Sequence, residues 1–178
     1  MRAALAVIVT AGVAYALFRI GAATAPARVA EGTPAPDFAA LALDPTPQAR
    51  TLADYRGTPL LLNIWATWCD PCREEMPSLQ RLYEAYRDKG LRVVAISVDD
   101  RGTESLIREF VSDHRLTFDV LHEQRPRVMT TYQVRGIPQT FLISRDGRIV
   151  AIRFAADWAS AESRRLVDSV LFGDETRR

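Results

Sequence analysis

Two cysteines three residues apart, Cys69 and Cys72, lie between a predicted buried strand and a predicted helix. The preceding residues, 60–66, form an almost uninterrupted apolar run, which is typical of a central strand covered on both faces. From 69 to 89 the apolar residues recur at helical spacing, and Gly90 stands where a C-terminal capping glycine belongs. The pattern therefore predicts a strand that leads directly into a helix with both thiols at its first turn.

Composition limits what these thiols can do. The chain has 23 basic and 22 acidic residues and a net charge of +1, so it lacks the excess of positive charge that nucleic-acid binding requires. Two cysteines cannot build a framework of several disulfides, and with only two scattered histidines they make a poor zinc site. We expect no metal and no cofactor, which leaves redox chemistry of the thiol pair.

The rest of the chain alternates between strand and helix patterns. The strand patterns are 92–98, 118–121, 140–144 and 148–154, and the helix patterns are 103–114, 127–132 and 159–171. An Asp-Gly pair between the last two strands indicates a hairpin, and Pro77 is expected to kink the helix that follows the cysteines. After Phe38, Pro45 and Pro47 mark a loop. This order predicts an α/β fold with a mixed sheet covered by helices on both faces.

An uncharged apolar stretch, 3–18, is flanked by arginines near the start of the chain. It is either a cleaved secretory signal or a signal anchor over 1–25, and Pro26 disfavours cleavage directly before it. A buried core helix is disfavoured because the stretch has no polar face. We therefore expect a membrane anchor, a linker over 26–36 and a folded domain over 37–175 outside the cytoplasm.

The position of Cys69 before a helix favours its thiolate, because unpaired N–H groups and the helix dipole stabilise an anion there. At a pKa of about 8.5 only about 3% of a thiol is ionised at pH 7, whereas a pKa near 7 gives about half. We predict that Cys69 is exposed and attacks substrates, and that Cys72 is the shielded resolving thiol. An inert disulfide or half of a metal site is the alternative.

Two blocks, WATWCDPCREEMP (65–77) and GIPQTFLISRDGRI (136–149), resemble the signatures of thioredoxin-fold proteins. More narrowly, they resemble the membrane-anchored, extracytoplasmic TlpA/ResA/CcmG-type thiol–disulfide oxidoreductases. The APDF block at 35–38 and an inserted helix and strand at 103–121 are similar to the same subgroup. The resemblance covers about 33–172 and implies a thioredoxin fold.

The resemblance also implies a cis peptide bond before Pro138, packed against the active-site disulfide; an ordinary turn proline is the alternative. The backbone of Ile137 would then pair with an extended substrate segment beside Cys69. We expect Trp68 to form part of this docking surface and Trp65 to pack in the core.

A carboxylate is needed to accept the proton of Cys72 when the disulfide forms. Thioredoxin has a buried acid six residues before its first cysteine, but the matching residue here is Asn63, which cannot exchange a proton. Glu75 lies three residues after Cys72, on the same helix face, and matches an acid of the TlpA/ResA subgroup. We predict that Glu75 is partly buried with a raised pKa, whereas Glu74 points elsewhere. A solvated Glu75 is the alternative.

The residues between the cysteines, Asp70 and Pro71, are expected to tune the redox couple. An anionic neighbour disfavours the Cys69 thiolate, which stabilises the disulfide and makes the protein a reductant. The resemblance suggests a monomer that receives electrons from a membrane dithiol carrier of the DsbD/CcdA type. Its protein disulfide substrates would be apocytochrome c or proteins of copper-centre assembly.

Other functions fit the sequence less well. A peroxiredoxin has Thr three residues before its cysteine, where this chain has Ala66. A Sco-like copper-binding module, the main alternative, uses a longer cysteine spacing and a distal histidine. We predict that His114 and His122 both lie at the surface. A purely structural disulfide would leave Cys69 slow to react with alkylating agents.

Overall fold

The computed structural model describes residues 28–43, 46–125 and 127–173, which form one mixed sheet with helices on both faces. The strands are β1 (Ala39–Ala42), β2 (Ala49–Thr51), β3 (Leu60–Trp65), β4 (Arg92–Ser97), β5 (Asp119–His122), β6 (Gln139–Ile143) and β7 (Ile149–Phe154). The helices are α1 (Asp70–Tyr86), α2 (Glu104–Asp113), α3 (Arg127–Thr131) and α4 (Ala161–Phe172), and 3-10 turns span Leu52–Tyr55 and Arg87–Lys89.

The described strands form a sheet in the order β2-β1-β5-β4-β3-β6-β7. The three inner strands β5, β4 and β3 run parallel, and the other neighbouring pairs are antiparallel. All six residues of β3 are buried, as a strand at the centre of a two-sided sheet requires. The loop that leads to Cys69 and then into α1 leaves the carboxyl end of this central strand.

Each face of the sheet carries its own apolar cluster. Neighbouring residues of β3 divide between the clusters, with Leu61 in one and Leu62 in the other. Helices α1, α2 and α4 cover the first face, where the rings of Trp65 and Phe110 lie 4.9 Å apart. Val128 of the short helix α3 and Tyr132, directly after this helix, cover the second face. The predicted mixed α/β architecture is confirmed.

Most element boundaries agree with the sequence pattern to within one or two residues. Helix α1 continues through Pro77 and gives way to a 3-10 turn at Arg87, and Gly90 adopts the left-handed conformation with φ +96°. No strand was predicted between Phe38 and Leu60, whereas the structure has β1 before and β2 after the two prolines that mark this loop. These strands have only four and three residues and are rich in alanine, so they show no strand periodicity.

The predicted anchor over 1–25 lies outside the described residues. Among the residues that the structure describes, no helix has the length and apolar character needed to cross a membrane. The stretch predicted as a linker, 26–36, includes residues that pack on the domain. Gly32 donates its N–H to the carbonyl of Ile149, and Ala35 donates to that of Gly147. Residues 32–35 are therefore tied to the edge of the sheet.

Candidate active site

Cys69 and Cys72 form a disulfide at the start of α1, with their Cα atoms 5.2 Å apart. Cys69 is the residue that caps the helix, and its Sγ accepts the backbone N–H of Cys72 at 3.3 Å. Pro71 fits the first turn, where a missing N–H breaks no helical bond. The helix therefore directs an N–H and its positive end at the Cys69 sulfur, which favours a thiolate there when the disulfide is reduced.

The two sulfurs differ in access less than the sequence analysis predicted. Cys69 is only 6% exposed, so its predicted exposure was wrong, whereas Cys72 is fully buried. Cys69 is covered because its Sγ lies 3.6 Å from the carbonyl oxygen of Ile137 on a neighbouring loop. The adjacent Trp68 is 68% exposed, and Trp65 is fully buried, as predicted.

The peptide bond between Ile137 and Pro138 is cis, as the resemblance implied. Pro138 is buried directly before β6, which pairs antiparallel with β3. This pairing brings the loop beside the end of β3 and thus beside Cys69. An exposed tryptophan and a backbone carbonyl next to the disulfide give the apolar surface and the polar group that an extended peptide needs.

Glu75 is buried among hydrogen-bond donors. Its carboxylate accepts the indole N–H of Trp158 at 2.5 Å, and the side chains of Asn63 and Thr140 donate to it at 3.4 and 3.5 Å. Burial raises the pKa of Glu75, while these bonds and one from the backbone of Ala156 act in the opposite direction. The predicted burial and raised pKa are confirmed.

Asn63, which stands where thioredoxin has its buried acid, contacts Glu75. It exchanges no proton, but its amide donates to both Thr140, at 2.8 Å, and Glu75. Glu74 is exposed, as expected for the neighbouring helix position. Trp158 was not predicted as a site residue, because nothing in the loop after β7 indicates contact with a residue 83 positions earlier.

A second buried carboxylate, Asp99, holds the loop before Cys69. It accepts the backbone N–H and the hydroxyl of Thr67, at 3.0 and 2.5 Å, and the hydroxyl of Ser97 at 2.6 Å. Asp99 was not among the predicted site residues. The signal was available, since Asp99 follows β4 and parallel strands end at the same edge of a sheet.

The prediction that both histidines lie at the surface was wrong for His122, which is 2% exposed. Its Nε2 donates to the carbonyl of Asp99 at 2.9 Å, and its Nδ1 lies 3.4 Å from a carboxylate oxygen of Glu104. His114 is half-buried and stacks on Phe110. Within the described part of the chain, no three His, Cys, Asp or Glu residues are grouped as a metal ion would need.

Comparison with known proteins agrees with this geometry. The model of the AhpC/TSA family matches residues 32–152, which is more than half of the chain. The chain belongs to this family. Within it, ResA of Geobacillus kaustophilus, a thiol–disulfide oxidoreductase, is 33% identical over 152 residues, which cover 85% of this chain and 84% of that protein. The chain therefore belongs with the ResA-type thiol–disulfide oxidoreductases.

Other relatives match over different lengths. ResA of Oceanobacillus iheyensis is 40% identical over 123 residues, which are 68% of this chain but only 63% of that protein. Among solved structures, a Chlorobium tepidum protein assigned as a thiol:disulfide interchange protein DsbE has a TM-score of 0.72 and 27% identity, with 81% and 99% of the two chains covered. A secreted Mycobacterium tuberculosis disulfide oxidoreductase homologous to E. coli DsbE has a TM-score of 0.61 and 25% identity, with 73% and 94% covered.

Proposed function

We propose that this protein reduces disulfide bonds in other proteins outside the cytoplasm. The observation that carries the proposal is the disulfide Cys69–Cys72 at a helix N-terminus, beside the cis bond before Pro138. A structural disulfide has no need of an exposed tryptophan and a peptide-binding loop at its edge. Both are features of a couple that exchanges disulfides with a bound chain.

The reaction begins with the reduced pair. The Cys69 thiolate attacks one sulfur of the substrate disulfide, so that a mixed disulfide forms, the substrate S–S bond breaks and one substrate thiolate leaves. Cys72 then loses its proton and attacks the Cys69 sulfur, which releases the second substrate thiolate and forms the Cys69–Cys72 disulfide. Two electrons pass to the substrate, and its two thiolates take up two protons.

Glu75 accepts the proton of Cys72 in this scheme. It lies one helical turn after Cys72 on the same face of α1, and its raised pKa makes it a stronger base than an exposed glutamate. Glu75 also lines a cleft of about 380 Å³ together with Glu74, Arg81 and Asp157. This cleft gives the accepted proton a route from the buried carboxylate to solvent.

Features of the sequence support a direction and a place for the reaction. Asp70 stands exposed between the cysteines and competes with the Cys69 thiolate for the positive end of α1, which favours the disulfide and hence a reductant. The apolar stretch 3–18 supports a single membrane anchor with the domain in the periplasm or its equivalent. There a monomer would take electrons from a membrane dithiol carrier of the DsbD/CcdA type and pass them to apocytochrome c or copper-centre proteins.

A trapping experiment tests the proposal. In a Cys72→Ser variant the mixed disulfide on Cys69 cannot be resolved, so substrate proteins should stay covalently attached until dithiothreitol is added. The matched Cys69→Ser variant, which keeps one cysteine of the pair, should trap far less. The wild-type protein should also accelerate insulin reduction by dithiothreitol. Equal trapping by both variants, or no acceleration, would refute the proposed function.

A further inference from the structure

A groove of about 640 Å³ begins next to the cis-proline loop. Gly136 and Gln139, which flank Ile137 and Pro138, both line it. The groove is therefore continuous with the surface on which a substrate disulfide must lie to reach Cys69. A chain segment bound beside Ile137 would enter it within a few residues of the reacting cysteine.

The groove is basic. Arg28, Arg135 and Arg153 line it, and Arg153 is paired with Glu31 at 3.6 Å. In the part of the chain that the structure describes, no carboxylate lies within ion-pair distance of Arg28 or Arg135, and both are exposed. Two positive charges are thus open to a partner.

Phe154 adds an apolar wall to this groove and is 63% exposed. Its ring lies over Gly136, where a Cβ would be 3.3 Å from the ring edge. The absence of a side chain at Gly136 lets the ring sit against the loop that leads to the cis-proline. An aromatic ring beside two exposed cations suits a segment with both apolar and acidic side chains.

The cleft that Glu75 lines has a charge opposite to that of the basic groove and lies across the end of β7 from it. Of its charged residues, Glu74, Glu75 and Asp157 are acidic and only Arg81 is basic. Acidic side chains on a bound segment would therefore be attracted to the basic groove and repelled from this cleft. The contrast gives a bound chain a preferred direction across the disulfide.

We propose that the groove of Arg28, Arg135 and Phe154 binds an acidic segment next to the cysteine under attack, and so selects among protein disulfides. The inference rests on the proposed function and adds a substrate class to it. Arg135 lies two residues before Ile137, a span of at most about 7 Å in extended chain, so the acidic side chains should lie two to four residues from the cysteine.

Three disulfide-linked peptides test the inference. They differ only in the flank of the cysteine, that is, the residues two to four positions away from it. The flank carries two Glu, two Gln or two Lys, and the full chain reduces each peptide with dithiothreitol as the electron source. We expect kcat/KM to be about 2- to 30-fold higher for the Glu than for the Gln peptide, the range that two exposed ion pairs supply. The Lys peptide should be slower than both, and the differences should shrink at high salt.

The variant Arg135→Glu should abolish or reverse the preference for the Glu peptide. Arg92→Glu is the matched control, because it changes net charge equally but lies at the start of β4, at the other end of the parallel strands. Equal rates for the three peptides, or equal effects of the two variants, would overturn the groove assignment while leaving the oxidoreductase proposal intact. Failure to reduce even the Gln peptide would instead refute the proposed function.

Discussion

At the scale of single residues, the transfer of the Cys72 proton depends on the groups that surround one buried carboxylate. Glu75 is surrounded by groups that donate to it, and Trp158 forms the shortest of these bonds. Donors favour the charged form and burial disfavours it, so the pKa of Glu75 results from the two acting against each other. A hydrogen bond to a charged group contributes about 1.5–3 kcal/mol, which is large enough for one donor to alter the balance.

Trp158→Phe should therefore raise the pKa of Glu75 further, because a donor that stabilises the carboxylate is lost. The pH profile of insulin reduction should shift toward higher pH, since Glu75 remains protonated over a wider range. Trp65→Phe is the control: Trp65 is equally buried, but within the described residues its indole nitrogen has no hydrogen-bond partner. A similar shift in both variants would show that lost packing, not the lost bond, is responsible.

The contrast between Glu75 and Trp158 also shows which residues of the site can be predicted from the sequence. The cysteine pair and Glu75 belong to one continuous strand–helix motif, so their spacing alone predicts that they share a helix face. Pro138 was found through its resemblance to a family signature. Asp99 could have been found from its place after a parallel strand. Trp158 acts through a contact that only the folded chain creates, and no local pattern indicates it. The burial of His122 was missed for the same reason.

At the scale of elements, the reactive loop is held by a neighbouring strand. Asp99, two residues after the end of β4, takes the backbone N–H and hydroxyl of Thr67 and so fixes the loop between β3 and α1. Its own backbone carbonyl accepts from His122 at the end of β5. Three parallel strands therefore meet at the loop that presents Cys69.

Asp99→Ala should destabilise the protein by about 1–3 kcal/mol, because the donors on Thr67 and Ser97 lose a buried acceptor. It should also slow insulin reduction beyond any loss of folded protein, since Cys69 is then held less firmly. Urea denaturation and the rate per folded molecule measure the two effects separately. The neighbouring Asp100→Ala, an exposed position, should change stability by no more than about 0.5 kcal/mol. Full activity in a destabilised Asp99→Ala protein would limit Asp99 to a structural role.

At the scale of the whole molecule, the sheet and its covering helices were predictable because their patterns are long and periodic. The edge formed by β1 and β2 was not predictable. Strands of four and three residues without strand periodicity form only because they pair with neighbouring strands. The part of the predicted linker at 32–35 likewise follows the sheet only because the edge of β7 offers it hydrogen-bond partners.

The raised pKa of Glu75 also makes the stability of the whole fold depend on pH. A carboxyl whose pKa is higher in the folded than in the unfolded state binds more protons when folded, so the free energy of unfolding falls as pH rises through that interval. The fall begins near the unfolded value of about 4.3, continues to the folded value and amounts to about 1.4 kcal/mol per pKa unit.

Glu75→Gln removes this dependence and tests it. We expect the variant, compared with the wild type in the oxidised form, to gain relative stability as pH rises from about 4, the ordinary pKa of a glutamate. In the variant an amide faces the donors around position 75, which lowers the free energy of unfolding by an amount that does not depend on pH. The diagnostic quantity is therefore the slope of the stability difference against pH, not its absolute value. Burial raises the pKa of Glu123 as well, but that group is common to both proteins and cancels.

Urea denaturation at several pH values measures the difference, and Glu74→Gln, at an exposed position, should show no such slope. A slope of the opposite sign would mean that the donors outweigh burial, and Glu75 would then be too weak a base for Cys72.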